Sequence, residues 1–172
     1  MLKNIIIVAT FILSIIALTL ILVKKEYKMC YIDMGKVYEE FKLTRELNRD
    51  YEVVAKTQKK IQDSLYNILE LKASSYKKEL DKDGKQLEEL KVLESNFLNK
   101  KEMFEKQGSE TMNEYNSKIW KQINQFVADY GKNENYTIIF GANGQGNVMY
   151  GDKLIDKTDD IILFINNKYD GN

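Results

Sequence analysis

Between Gly35 and Tyr130 the chain holds no proline and only one strong turn signal, and this limits its fold more than any other feature. Proline removes a helix hydrogen bond and clashes with the preceding turn, so its absence suits long unbroken helices. The stretch is rich in Lys, Glu, Leu, Gln and Asn, which helices accept. Its one strong interruption is Asp81-Lys82-Asp83-Gly84. Asp and Gly favour a turn, and Gly takes the positive φ that closes a helix. The sequence therefore predicts two helices, about 36–80 and 85–130, folded into an antiparallel hairpin.

A seam can be traced through the pair. With the turn at Asp83, Leu47 stands opposite Ile119, Tyr51 opposite Tyr115, and Val54 opposite Met112. Ile61 stands opposite Phe104, Leu69 opposite Phe97, and Tyr76 opposite Leu90. The first helix's stripe alternates steps of four and three, as in a coiled coil, with a stutter between Ile61 and Ala73. Gln58 opposite Gly108 and Leu65 opposite Lys101 are expected soft points. Each helix of about 45 residues spans roughly 68 Å, more a limb than a globular domain. Tyr66, Ile68, Val92 and Met103 fall off the seam. Singly, an exposed apolar residue is ordinary. Together, these four are the candidates for weak contact with apolar partners.

Charge and composition exclude much of chemistry. The 172 residues carry 26 Lys and Arg against 26 Asp and Glu, with no His and one Cys. Catalysis by Ser-His-Asp or Cys-His is impossible, as are a His-ligated metal, a Cys-rich zinc site and an internal disulfide. A neutral chain lacks the basic excess that drives nucleic-acid binding. No catalytic, cofactor-binding or metal-ligating residue is expected, and no nucleic-acid partner.

Ile5 to Val23 form 19 uncharged residues interrupted only by Thr10, Ser14 and Thr19, enough for a helix to cross a bilayer. A cleavable signal peptide is the competing reading. Its apolar region is usually shorter and ends in small residues, whereas Leu22-Val23 runs straight into Lys24-Lys25. The lysines on the C-terminal side lean weakly towards a cytoplasmic domain by the positive-inside rule. Cys30 does not follow the apolar run directly and reads as a small apolar residue in a buried strand.

The hairpin's ends supply a small body. Met29 to Met34, Tyr136 to Phe140 and Asn147 to Tyr150 read as three short strands. Asn143-Gly144 favours a hairpin turn between the last two. The glycine-rich stretch around it lacks the Lys-Ser/Thr of a phosphate loop, and a strand follows it. Thr158 is expected to cap a helix whose apolar face is Ile161, Ile162, Ile165 and Tyr169. Three short strands leave edges open, which predicts self-association.

The strand Tyr31-Ile32-Asp33-Met34-Gly35-Lys36-Val37, the charged hairpin and the hydrophobic strand after it resemble the OmpH/Skp family. So does the closing run from Asp156 through Thr158 to Asn166 and Tyr169, over roughly residues 29–169 in all. The resemblance implies an α+β, mainly α fold. A long antiparallel coiled-coil hairpin would project from a small β-rich trimerisation body; the preceding transmembrane helix read from residues 5–23 departs from the family, whose namesake diffuses freely after its signal is cleaved. Residues 1–28 would be anchor and flank. Residues 29–172 would be the family domain, with the arm at 36–130 and the body at 29–35 and 131–170. It further implies an ATP-independent holdase that shields unfolded outer-membrane or envelope proteins in the cavity of a homotrimer. The chain would sit in the cytoplasmic membrane with its body in the periplasm, or be soluble there if cleaved. The family's namesake is strongly basic, whereas residues 36–130 here hold 18 Lys and Arg against 18 Asp and Glu. Lipopolysaccharide binding through a basic surface is therefore not expected. The alternative is a membrane-tethered coiled-coil scaffold docking one specific folded partner.

Overall fold

A computed structural model describes residues 12–16, 27–78 and 84–171. Strand β1 (Met29–Asp33) buries Cys30 and Ile32 and turns Met29 and Asp33 outwards, the period of two that a strand imposes. It pairs in parallel with β2 (Ile138–Ala142), Met29 opposite Ile138 and Asp33 opposite Ala142. Parallel neighbours require a long crossover, and here the crossover is the whole helical arm. Asp33 closes the strand and opens helix α1 (Met34–Glu40), its Oδ1 accepting the Lys36 N–H at 3.0 Å. Then follow α2 (Lys42–Lys78) and α3 (Lys85–Asn133), the latter entered from Gly84 at φ +69°. A 3-10 turn (Lys153–Ile155) leads into α4 (Thr158–Tyr169).

The core gathers at the root of the arm. Ile32, Val37, Phe41, Leu43, Ile119, Ile123, Phe126, Tyr130, Ile161, Ile162 and Ile165 form one buried cluster. Between residues 45 and 118, among those described, only Phe104 is buried. The arm is thus a limb with solvent on most sides, joined to a small packed base.

The elements depart from expectation in four places. The first helix does not run unbroken from residue 36. It starts at Met34 and stops at Phe41, whose backbone is extended (φ −69°, ψ 129°). Packing makes that break: Phe41 is fully buried, with edge contacts to Phe126 at 6.3 Å and Tyr169 at 5.5 Å. The second strand lies two residues later than expected, because Tyr136 instead stacks on Tyr130 at 5.9 Å. The third expected strand is absent: residues 144–149 are a run of bends. Asn147 explains this, since its side-chain amide donates to the Gly141 carbonyl and its Oδ1 accepts the Asn143 N–H. Both bonds close the loop on itself instead of opening it into a hairpin ladder. Lastly, Thr158 is the first residue of α4 rather than its cap; Asp156 Oδ1 accepts the Thr158 N–H at 2.9 Å.

Most of the expected membrane segment lies outside the described residues. Its residues 12–16 are helical and exposed. Among the described residues no helix is long and apolar enough to cross a membrane. The expected turn at Asp81 to Asp83 also lies outside them.

Candidate binding surfaces

The closing segment positions the arm. Thr158 Oγ1 accepts the Asp33 N–H at 2.9 Å and donates to Asp156 Oδ1 at 2.5 Å, and the Lys157 N–H donates to the Tyr31 carbonyl at 3.0 Å. The end of β1 is thereby tied to the start of α4. Burial pushes the Asp156 carboxyl up, but the bonds from the Thr158 hydroxyl and N–H, with Tyr31, outweigh it and hold the group below the ordinary range. One turn before the end of α4, Asn166 reaches across to the break at Phe41. Its Oδ1 accepts the Lys42 N–H at 2.8 Å and its amide donates to the Glu40 carbonyl at 3.1 Å. Two main-chain groups orphaned by the break are satisfied by one side chain. Tyr169 donates its hydroxyl to Glu46 at 2.6 Å and lays its ring edge on Phe41. Lys36 pairs with Asp159 at 2.6 Å, and Lys42 and Lys168 pair with Asp170 and Asp129.

Along the arm, half-buried and exposed positions separate cleanly. Leu47, Tyr51, Leu69, Tyr76, Leu90, Phe97, Met112 and Tyr115 are half-buried, and Phe104 and Ile119 are buried. Val54 and Ile61, expected on the seam, are instead 54% and 41% exposed. The half-buried positions of that stretch are Ala55, Gln58 and Gln62. The stripe drifts by one residue there, and the smaller or more polar neighbours face α3. Contacts across the arm are also offset from the expected pairing. Tyr66 is in ring contact with Phe97 at 6.1 Å, and Lys72 pairs with Glu89 at 3.2 Å. A Cβ on Gly108 would lie 3.1 Å from the Tyr51 hydroxyl. Gly108 thus leaves room for Tyr51, beyond being a weak point of the helix.

Of the four off-seam candidates, all are exposed. Ile68 and Val92 come together, sharing an open groove of about 530 Å³ with Lys72, Glu89 and Leu93. Tyr66 is committed in part to Phe97, and Met103 stands further along α3. Three more exposed apolar side chains, Val53, Leu71 and Leu98, extend the set. Sequence reading passed over them, although each is apolar and off the stripe. Among the described residues, no group of three or more His, Cys, Asp or Glu is placed to hold a metal ion.

The sequence profile of the family described as outer membrane protein (OmpH-like) matches residues 28–163. This chain belongs to the OmpH-like family. No curated protein matches the sequence at a significant level. Among solved structures, the fold is similar to a protein of Caulobacter crescentus CB15 provisionally described as an OmpH-like outer membrane chaperone. The TM-score is 0.71 at 11% identity, over 84% of this chain and 86% of that one. The family match stops before Asn166 and Tyr169, the two residues that hold the break at Phe41.

One further surface of this OmpH-like chain lies on the body. Met29, Phe140, Met149, Tyr150 and Ile155 surround an open apolar concavity of about 530 Å³ beside the two-stranded sheet. Met149, Tyr150 and Leu154 are 88%, 84% and 86% exposed, more than any apolar side chain described on the arm. Gly151 sits against it because a Cβ there would lie 2.3 Å from the Tyr31 ring. Cys30 is buried in β1, and burial pushes its thiol up, offset in part by Lys157 and Lys28. A buried thiol of raised pKa is a poor nucleophile.

Proposed function

We propose that this chain is an ATP-independent holdase of the cell envelope, binding unfolded outer-membrane or envelope proteins through its arm. One observation carries the reading: an arm with almost no core of its own leaves a series of apolar side chains uncovered on both helices. Membership of the OmpH-like family and the fold shared with the Caulobacter protein support it. Each exposed side chain offers a small apolar area, so a client is held by many weak contacts. No nucleotide is required, because a client that folds elsewhere withdraws its apolar surface. Nothing in this mechanism asks for a reacting group, so the protein acts as a binder rather than an enzyme.

The proposal extends to assembly and place. The apolar rim formed by Met29, Phe140, Met149, Tyr150 and Leu154 supports self-association through the body, and a trimer would set three arms around a cavity. The N-terminal apolar run would anchor the chain in the cytoplasmic membrane, with body and arms on the periplasmic side where such clients pass. The test is client range. The full chain, reconstituted in nanodiscs, is mixed near stoichiometrically with several unrelated unfolded proteins, and aggregation is followed by light scattering. A holdase suppresses aggregation of all of them. Binding to a single folded partner, with aggregation unchanged, would make the chain a docking scaffold instead.

A further inference from the structure

A cavity of about 720 Å³ lies where the arm meets the body, lined by Asp33, Glu39, Tyr38, Asn116, Trp120 and the loop at Asn143. Its wall is an aromatic pair: the Tyr38 and Trp120 rings stand 5.2 Å apart at 32°. The Tyr38 hydroxyl donates to Asn116 Oδ1 at 2.5 Å, which fixes the ring. Burial pushes that phenol up, so it stays neutral and a donor. Gly35 and Gly144 line the same cavity and carry no side chain to fill it.

The charge in this cavity is of one sign. Two carboxylates line it, and no Lys or Arg does. Asp33 Oδ1 accepts the Lys36 N–H of its own helix turn. Arg45 donates its Nε–H to the main-chain carbonyl of Glu39 at 3.3 Å, not to the carboxylate. Among the described residues neither carboxylate forms an ion pair. Aromatic faces beside carboxylates that form no ion pair attract a cation on an apolar stem.

We propose that this cavity is a binding site for a basic side chain, arginine or lysine, presented by an extended polypeptide. The stem lies along Tyr38 and Trp120, and the charged head meets Glu39 and Asp33. The groove on the arm offers only apolar contact, whereas this site selects by charge. It gives an otherwise unselective surface one anchoring point near the body. The inference stands on the chemistry of the cavity and holds whether or not the arms suppress aggregation.

Trp120 is the only tryptophan of the chain, so tryptophan fluorescence reads the wall of this cavity. The full chain in nanodiscs is titrated with acetyl-Leu-Arg-Leu-amide and with the same peptide carrying citrulline or norleucine in place of arginine. The arginine peptide should give a saturable change, with the uncharged peptides weaker by roughly fivefold or more, as expected when one cation contact is removed. Glu39→Gln should weaken the arginine peptide by about threefold or more and leave the norleucine peptide unchanged, the loss shrinking at about 0.5 M salt. Glu39 is exposed, so circular dichroism should show the variant folded. Equal response to all three peptides would overturn the proposal. So would no response to the arginine peptide, as when a second copy of the chain already fills the cavity and shields Trp120 from acrylamide.

Discussion

Asn166 shows how much one side chain can carry. It closes both hydrogen bonds left open where α1 gives way to α2, in a part-buried setting. Asn166→Ala should cost about 1–3 kcal/mol, the penalty for leaving such groups unsatisfied. Urea unfolding of the full chain would measure it, and a loss near zero would mean that Phe41 alone makes the break. Tyr130 gives a prediction in pH. Burial, with nearby Asp160 second, pushes its phenol from 10.0 up to about 12. The folded state therefore holds this proton more tightly than the unfolded chain. The contribution is full below pH 10 and is lost as pH rises from 10 to about 12. Melting temperature should fall across that range, and fall less in Tyr130→Phe. Burial also raises Tyr31 and Tyr38, and hydrogen bonding to Glu46 raises Tyr169, so part of the fall should remain in the variant. The sequence showed Asn166 as part of a motif but not its task, because a hydrogen bond spanning more than a hundred residues leaves no local signal. The capping role of Asp33 is local, yet it too went unread, since the strand and helix overlap at that residue.

At the scale of elements, periodicity was legible, and its phase held except around Val54 and Ile61. The long helices follow from composition, the absence of proline and the turn signal. The drift from Val54 and Ile61 to Ala55 and Gln62 does not, because an apolar residue marks a face only when its neighbour can pack there. Tyr51 and Gly108 need room for each other, and the arm takes its register from such contacts. A paired prediction follows. Phe104→Ala should destabilise the arm by up to about 3 kcal/mol, the low end for a core phenylalanine. Val54→Ala should change it by less than about 0.5 kcal/mol, as for an exposed side chain. Amide hydrogen exchange around residues 95–112 would register the first and not the second. The expected third strand failed for a related reason: Val148, Met149 and Tyr150 have the right character, but a strand needs a neighbour, and the Asn147 side chain closes the loop on itself instead.

For the whole molecule, the distribution of burial is decisive. The packed core stays at the root, the arm is left with seam contacts, and the most exposed apolar residues ring the body. Assembly should therefore belong to the body and holding to the arm. Replacing residues 50–116 by a short glycine-rich linker should leave an oligomer in analytical ultracentrifugation. A monomeric truncation beside an oligomeric parent would place assembly in the arms. The hairpin and the existence of a small body were readable from the sequence. The apolar rim of the body was readable only as a shortage of strands, and the cavity at the root of the arm not at all, since it joins residues from three separate stretches of chain.

In the proposed mechanism, exposed apolar residues off the seam do the holding. Ile68→Ser, Val92→Ser and Met103→Ser combined test it most directly, because all three are exposed and none is in the core. Tyr66 is left intact, since its contact with Phe97 ties it to the stability of the arm. The measurement is suppression of client aggregation by the full chain, alongside its helical circular dichroism. Helicity should stay unchanged and protection should fall markedly, since each substitution removes roughly 1.5–3 kcal/mol of potential apolar burial from a dispersed surface. Full protection at unchanged helicity would contradict that mechanism and move the client surface to the body.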